Sequence, residues 1–326
     1  MPVEDTLIAN ASRWVDHPSG FFALSSRNEH FSLPGVGGFV SYREWGKHLA
    51  VFGGVHAAPA DREVILDAFI AHAESRRRRI VVVQLCASQT ELFARRGFAI
   101  NQFGTSYGID LRRFTLRGTA KMQLRNKISR ARKLGLRIAE IGREYPRSED
   151  TFARLRDIST RWLRGKGKEL DFMIGEIGGP EDTVRRIFVI VDGRGDLIGF
   201  ITYVPVWGLR PGYLHDLTRR LPTAPAGAME LCNAFAIERL AAEGVAHLHF
   251  GFTPFITTGA EPSSANRLVA WTIRQLRKYG GFVYPAESQA QYKLKWRPDL
   301  IEPEYLAARP MSVRAVIDLL TLTRSL

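Results

Sequence analysis

Apolar positions along the chain fall into short segments of two periods. Gly38 to Tyr42 and His48 to Phe52 are dense in apolar and aromatic residues, which predicts two short strands around a turn at Trp45-Gly46. Pro59 to Arg76 has the helical period, with Val64, Ile65, Ala68 and Phe69 expected to face inward. The arginine run from Arg76 ends that helix in cations, as the helix dipole favours. Ile80 to Leu85 (IVVVQL) predicts a buried strand, Gln89 to Arg96 a short helix, and Gly97-Phe98 the start of another strand. The order then repeats. Phe152 to Leu163 predicts a helix, and Ile187 to Val191 and Leu197 to Val204 predict strands around an Asp192-Gly193 turn. A strand over Gly212 to Leu217, a long helix over Ala228 to Glu243 and a strand over His247 to Phe250 follow. A helix over Asn266 to Tyr279 and a strand over Phe282 to Tyr284 complete the pattern. The fold class predicted is α/β. The last segment, MSVRAVIDLLTLTRSL, is amphipathic; it is expected to pack back on its own domain, the alternative being a membrane surface.

Between the two halves lies a stretch of another character, Ile109 to Ala139. After Asp110 it holds no acid, yet it carries Arg112, Arg113, Arg117, Lys121, Arg125, Lys127, Arg130, Arg132, Lys133 and Arg137. Leu124, Ile128 and Ala131 recur at i, i+4 and i+7, and Gly135 stands where a helix stop is expected. This predicts a helix pinned by one face with cations round the rest. Cations so dense repel one another unless an anion sits opposite. The net charge of +13 over 326 residues points the same way, to a polyanionic partner such as nucleic acid or an anionic membrane surface. The plainer reading is a solvated face.

The two cysteines, Cys86 and Cys232, sit in apolar surroundings without metal-ligand spacing, which suits a reducing, cytoplasmic interior. The N-terminal segment lacks the apolar run of a signal peptide, and no window approaches a membrane span. A membrane, if met, is met from its inner face. FARRGFAI at 93–100 and LRKYGGFVY at 276–284 both run from a basic helix end through glycine to phenylalanine and an expected strand. They suggest one α/β unit in two copies. The expected division is 1–115, a basic connecting helix at 116–145, and 146–326.

ELFARRGF resembles the late helix-to-strand turn of the acetyltransferase-like (GNAT) fold. More broadly, the chain resembles the C-terminal catalytic domain of the phosphatidylglycerol lysyltransferases, the aminoacyl-phosphatidylglycerol synthases. The matching pieces, in the family's order, are GIDLRRFTLRGTAKMQLRNKISRARKLGLRI at 108–138, ISTRWLRGKGKELDFMIG at 158–175, HDLTRRLPTAPAGAMELCNAFAIERLAAEGVAHLHFGFTPF at 215–255 and YKLKWRPDLIEPEYL at 292–306. The resemblance implies tandem GNAT-like folds and transfer of an amino acid from aminoacyl-tRNA to an acceptor, without acetyl-CoA or another cofactor. Many family members carry a membrane-embedded flippase ahead of this domain; the sequence is expected to be a stand-alone form. The first acceptor implied is phosphatidylglycerol or a related lipid. A small metabolite is the alternative, and an acyl-CoA-dependent N-acyltransferase and a non-catalytic RNA-binding protein are rivals of other classes. The acyl-CoA phosphate loop, Arg/Gln-x-x-Gly-x-Gly/Ala, is missing ahead of either candidate helix.

An aminoacyl ester on tRNA is already activated, so the chemistry needs neither a nucleotide nor a metal. It needs the charged end bound, the acceptor oriented and the developing oxyanion stabilised. The expected catalytic residues are Asp216, at the end of the strand YLHDL where the family's Asp-Leu motif falls, and Lys293 and Lys295. The lysines alternate in YKLKW, and on an extended segment would point the same way, with Arg297 continuing that face. The plainer reading of Asp216 is an ion pair with Arg219 or Arg220, and His215 is expected to pack or hydrogen-bond. Expected substrate-binding residues are Glu230, on the first turn of its helix, Arg219, Trp162, Glu169, Phe172 and Gly251, the last as a point of close backbone approach. Trp162, Glu169 and Phe172 belong to an aromatic and basic loop suited to stacking on an unpaired RNA end. Arg117, Lys121, Arg125, Lys127, Arg130, Arg132 and Lys133 are expected to bind tRNA.

Overall fold

The computed structural model describes residues 12–166, 172, 175, 177, 180–259, 261–282 and 284–324. In chain order the elements are β1 (Glu29–Phe31), β2 (Gly38–Trp45), β3 (His48–Ala57), α1 (Arg62–Ser75), β4 (Arg79–Cys86), α2 (Ala87–Ala94), β5 (Ala99–Asp110), α3 (Met122–Lys133), β6 (Arg137–Glu140) and α4 (Glu149–Lys166). The second half supplies β7 (Arg186–Val191), β8 (Leu197–Val206), β9 (Gly212–Arg220), α5 (Ala228–Ala242), β10 (His247–Pro254), α6 (Arg267–Tyr279), α7 (Ala286–Leu294), β11 (Leu300–Arg309) and α8 (Val313–Leu322).

All these strands join one 11-stranded sheet in the order β1-β2-β3-β4-β11-β5-β10-β9-β8-β7-β6. Its pairings are antiparallel except at β3–β4 and β9–β10. Parallel neighbours need a crossover, and here each crossover is a helix, α1 in the first half and α5 in the second. In both halves antiparallel strands lead through a crossover helix to a parallel strand and a further helix, so the topology carries the tandem, acetyltransferase-like organisation. The halves are not separate along the chain, because β11 crosses back and pairs with both β4 and β5. The local match that suggested duplication does not hold: after Tyr279 the chain makes a 3-10 turn over Gly280–Phe282, where a strand was expected.

Each parallel pair comes apart toward its C-terminal end. β3 pairs with β4 only from His48 to Phe52, and the amide of Gln89 fills the opening, accepting from the Val55 N–H at 3.0 Å and donating to its carbonyl at 3.2 Å. β9 and β10 pair only over Gly212–Leu214 and His247–His249. What stands beside this second divergence is described below.

The basic segment folds as expected. Leu124, Ile128 and Ala131 are buried against α5, while Lys127, Arg130, Arg132 and Lys133 are exposed. The helix ends at Lys133, and Gly135 takes the left-handed conformation with φ +76°. Gly227, ahead of α5, touches the Lys127 carbonyl so closely that a side chain there would collide with it. In α1 the inward residues are Ile65, Leu66, Phe69, Ile70 and Ala73; Val64 lies outside that stripe and is exposed, against expectation. The C-terminal helix packs back as expected, burying Val316, Leu319, Leu320 and Leu322. Among the described residues no helix is long and apolar enough to cross a membrane.

Candidate functional site

A buried lysine braces β10 where it parts from β9. β10 bulges between His249 and Gly251, and Gly251 adopts φ +71°, a conformation that costs other residues dearly. The bulge presents carbonyls sideways. The Lys293 Nζ, at the end of α7, donates to the carbonyls of Gly251 at 3.0 Å and Phe252 at 2.8 Å, and to the Thr253 hydroxyl at 2.8 Å. Burial lowers the Lys293 pKa to about 7, with the more distant Glu304 carboxylate opposing the shift. Both its protonation states are therefore accessible near neutrality. The bulge suits both, since the Thr253 hydroxyl can reverse its role where the two carbonyls cannot.

Lys293 and Lys295 do not lie on an extended segment. Ala286, Ala290 and Lys293 face inward at i, i+4 and i+7, the helical period, and Lys295 caps the helix. The two ammonium groups consequently go to different partners. Lys295 Nζ lies 2.8 Å from Glu230 Oε1 and 3.8 Å over the Tyr292 ring. Glu230 sits on the first turn of α5, and Lys127 of the basic helix reaches within 3.9 Å of the same oxygen. Burial works against the Glu230 charge, but the Lys295 hydrogen bond and the two cations outweigh it and hold the pKa below the usual carboxylate value.

Around these groups stand buried polar atoms that make no well-formed hydrogen bond, in two adjacent pairs: His215 Nδ1 beside Asn233, and Tyr292 Oη beside Trp296. Burial, helped by the Lys293 cation, pushes the His215 pKa down to about 3, so its ring is neutral at working pH. Ring contacts join the set: Tyr203 to His215 at 5.4 Å, His215 to Tyr292 at 6.2 Å, and Phe250 to Trp296 at 6.0 Å. A buried polar atom left unpaired costs about 1–3 kcal/mol. Together they give the interior beside β10 a polar lining.

The family profile described as "Phosphatidylglycerol lysyltransferase, C-terminal" matches residues 9–308. The chain belongs to that family. It is 23% identical to the phosphatidylglycerol lysyltransferase of Bacillus subtilis over 293 residues, which is 88% of this chain and 32% of that protein. The phosphatidylglycerol lysyltransferase of Staphylococcus epidermidis is 27% identical over 184 residues, 56% of this chain and 21% of that one. The chain thus spans about a fifth to a third of these curated relatives. Among solved structures, L-PGS from Bacillus licheniformis superposes with a TM-score of 0.81 at 20% identity, covering 98% of this chain and 95% of that one. The C-terminal domain of a putative lysylphosphatidylglycerol synthetase from Agrobacterium fabrum gives 0.77, also at 20% identity, covering 97% and 95%. These likenesses place the fold with the lysyltransferase family.

Within this lysyltransferase-family chain the remaining expected residues fall in several places. Asp216 does not present a free carboxylate: its side chain is fully buried. Oδ1 accepts from the Gly175 N–H at 2.9 Å, and Oδ2 takes Arg185 and, at 3.3 Å, the Thr202 hydroxyl. The ion pair expected with Arg219 or Arg220 is made instead with Arg185, which also binds Asp182 at 3.0 Å. Arg219 lies over the half-buried Trp162 ring at 4.1 Å. Phe172 is buried edge-on against Phe52 of β3, at 5.9 Å, so it joins the loop after α4 to the first half. Glu169 lies outside the described residues. In the basic segment Lys121 donates to the Thr115 carbonyl at 2.8 Å and Arg125 to that of Leu116 at 2.7 Å, so these two brace the 112–118 loop. Lys127, Arg130, Arg132, Lys133 and Arg117 remain exposed. Sequence reasoning missed Arg185, Asn233, Tyr203 and Tyr292. Tyr292 stands in the quoted YKLKW and could have been found there; the other three carry no local signal.

Proposed function

We propose that this chain transfers an amino acid from aminoacyl-tRNA to a lipid hydroxyl, with phosphatidylglycerol as first acceptor, at the β9–β10 divergence. The observation that carries the reading is the meeting at Glu230 of Lys295 from the site and Lys127 from the basic helix. A cationic surface fit for RNA phosphates thereby runs directly into a buried polar lining. The names of the relatives supply the acceptor: proteins named for lysyl transfer to phosphatidylglycerol share this family.

In the reaction the acceptor oxygen attacks the ester carbonyl, a tetrahedral oxyanion forms, and the ribose oxygen leaves with a proton. The acceptor hydroxyl gives up one proton and the ribose gains one, so the enzyme must relay a proton rather than supply one. Glu230, held ionised, is a poor base but a lasting anion, suited to the α-ammonium of the amino acid. Lys295, partly exposed beside it, is suited to the developing oxyanion. Lys293 positions the Gly251 bulge that forms one wall. Asp216 acts from behind, fixing Gly175. Location at the inner face of the membrane follows from a donor in the cytoplasm and an acceptor in the bilayer.

The test is incubation with a pool of charged tRNAs and phosphatidylglycerol vesicles, following labelled amino acid into lipid. Glu230→Gln should lower transfer at least tenfold, about 1.4 kcal/mol of transition-state stabilisation. Wild-type protein that deacylates no charged tRNA, or a variant with normal turnover, refutes the assignment.

A further inference from the structure

The C-terminal helix, whose alternative reading was a membrane anchor, turns its apolar residues to the core. A different helix keeps large apolar residues outside. α6 is capped by Asn266, whose side-chain oxygen accepts from the Leu268 and Val269 amides at 3.0 and 3.1 Å. Its inner face buries Val269, Ala270 and Ile273. On its outer side Leu268, Trp271 and Tyr279 are 59%, 53% and 63% exposed. The helix holds no acid and carries Arg267, Arg274, Arg277 and Lys278, all exposed. Only Arg277 meets a carboxylate among the described residues, Glu287 at 2.9 Å.

At 3.6 residues per turn, Arg267, Arg274 and Lys278 fall within roughly 40° of one another, with Trp271 alongside and Leu268 and Tyr279 on its far flank. A cationic stripe therefore runs parallel to an apolar one. Trp and Tyr favour the headgroup level of a bilayer, and a helix of this pattern lies flat in that plane. An RNA strand has no use for the exposed Leu268.

The C-terminal end of this helix also lies near the candidate site. Arg277 pairs with Glu287 in the first turn of α7, the helix whose last turn carries Lys293, and Lys293 Nζ stands 5.7 Å over the Tyr107 ring.

We propose that the outer face of α6 docks the protein on an anionic lipid bilayer. Trp271, Leu268 and Tyr279 enter the boundary between headgroups and acyl chains, and Arg267, Arg274 and Lys278 meet lipid phosphates. The docking rests on the lipid-acceptor reading above and orients the β9–β10 divergence toward its substrate.

The experiment is co-sedimentation of the full chain with vesicles of phosphatidylglycerol mixed with phosphatidylcholine, and of phosphatidylcholine alone. Wild-type protein should bind the anionic vesicles at least tenfold more tightly. Leu268→Ser with Trp271→Ser and Tyr279→Ser should lose at least tenfold in binding to them. Arg267→Gln with Arg274→Gln and Lys278→Gln should erase the preference for anionic lipid. Both variants should still aminoacylate a short-chain, monomeric phosphatidylglycerol at the wild-type rate. Unchanged vesicle binding by both variants overturns the docking face, as does a variant that keeps vesicle binding but loses tRNA binding. Failure of the wild type to modify the monomeric lipid overturns the lipid-acceptor reading instead.

Discussion

Asp216→Asn separates a buried structural carboxylate from a catalytic one. In the native chain the two oxygens accept from opposite sides, Oδ1 from the Gly175 amide and Oδ2 from Arg185 and Thr202. An asparagine offers one oxygen. Whichever way its amide turns, the NH2 faces a donor, the Gly175 N–H or the Arg185 guanidinium. Arg185 keeps Asp182, so no lone buried charge results. The loss is one charge-assisted hydrogen bond plus one buried donor left unpaired, together about 3 kcal/mol. With a urea m-value of about 3 kcal/mol per molar, the midpoint should fall by about 1 M with m unchanged. Combining Asp216→Leu with Arg185→Met should cost less than the sum of the two single changes, because each alone strands a partner. Transfer should fall in proportion to the folded fraction. A variant that unfolds at the wild-type midpoint yet has lost transfer would refute this reasoning and return Asp216 to the chemistry.

Two further outcomes follow from charge. The folded pKa of Lys293 is about 7 against an ordinary 10.5, so below pH 7 both states carry the proton and the burial penalty is fully present. Between pH 7 and 10.5 the unfolded chain keeps a proton that the native one releases, so stability should rise by up to about 1.4 kcal/mol per pH unit. Urea midpoints of wild type minus Lys293→Met across that range should show the rise, and a flat difference would mean that Lys293 stays charged. For RNA, changing Arg117, Arg130, Arg132 and Lys133 together to Gln should flatten the salt dependence of tRNA binding by about 3 in log–log slope; an unchanged slope would make this a merely solvated face.

Much of the fold was legible because its signals are local. The stripe Leu124, Ile128, Ala131 and the Asp192-Gly193 turn each need only a few neighbouring residues, and both form as expected. Val64 misled because it adjoins the true stripe of Ile65, Leu66 and Phe69, and only packing decides which of the three successive apolar positions 64–66 points out. YKLKW misled more deeply: its alternation fits a strand, but Ala286 and Ala290 upstream make Lys293 the next inward position of a helix. Within the candidate site, Glu230 and the lysines were visible as charges in motifs. Their pairing was not, nor was Arg185 as the partner of Asp216, since both depend on elements far apart in sequence. The place of β11 is the extreme case, because nothing in LIEPEYLAAR names β4 and β5 as its neighbours.

That placement sets the order of events on the ribosome. β5 ends at Asp110, and the strand that must lie between it and β4 begins at Leu300. Roughly 190 residues are synthesised in between, about 10–40 s at 5–20 residues per second. Throughout that time β4 and β5 face a missing neighbour, each with an unpaired row of amides and carbonyls. The first half therefore cannot complete itself as it emerges. It must wait, as an open sheet exposed to wrong partners, until the second half is almost fully made.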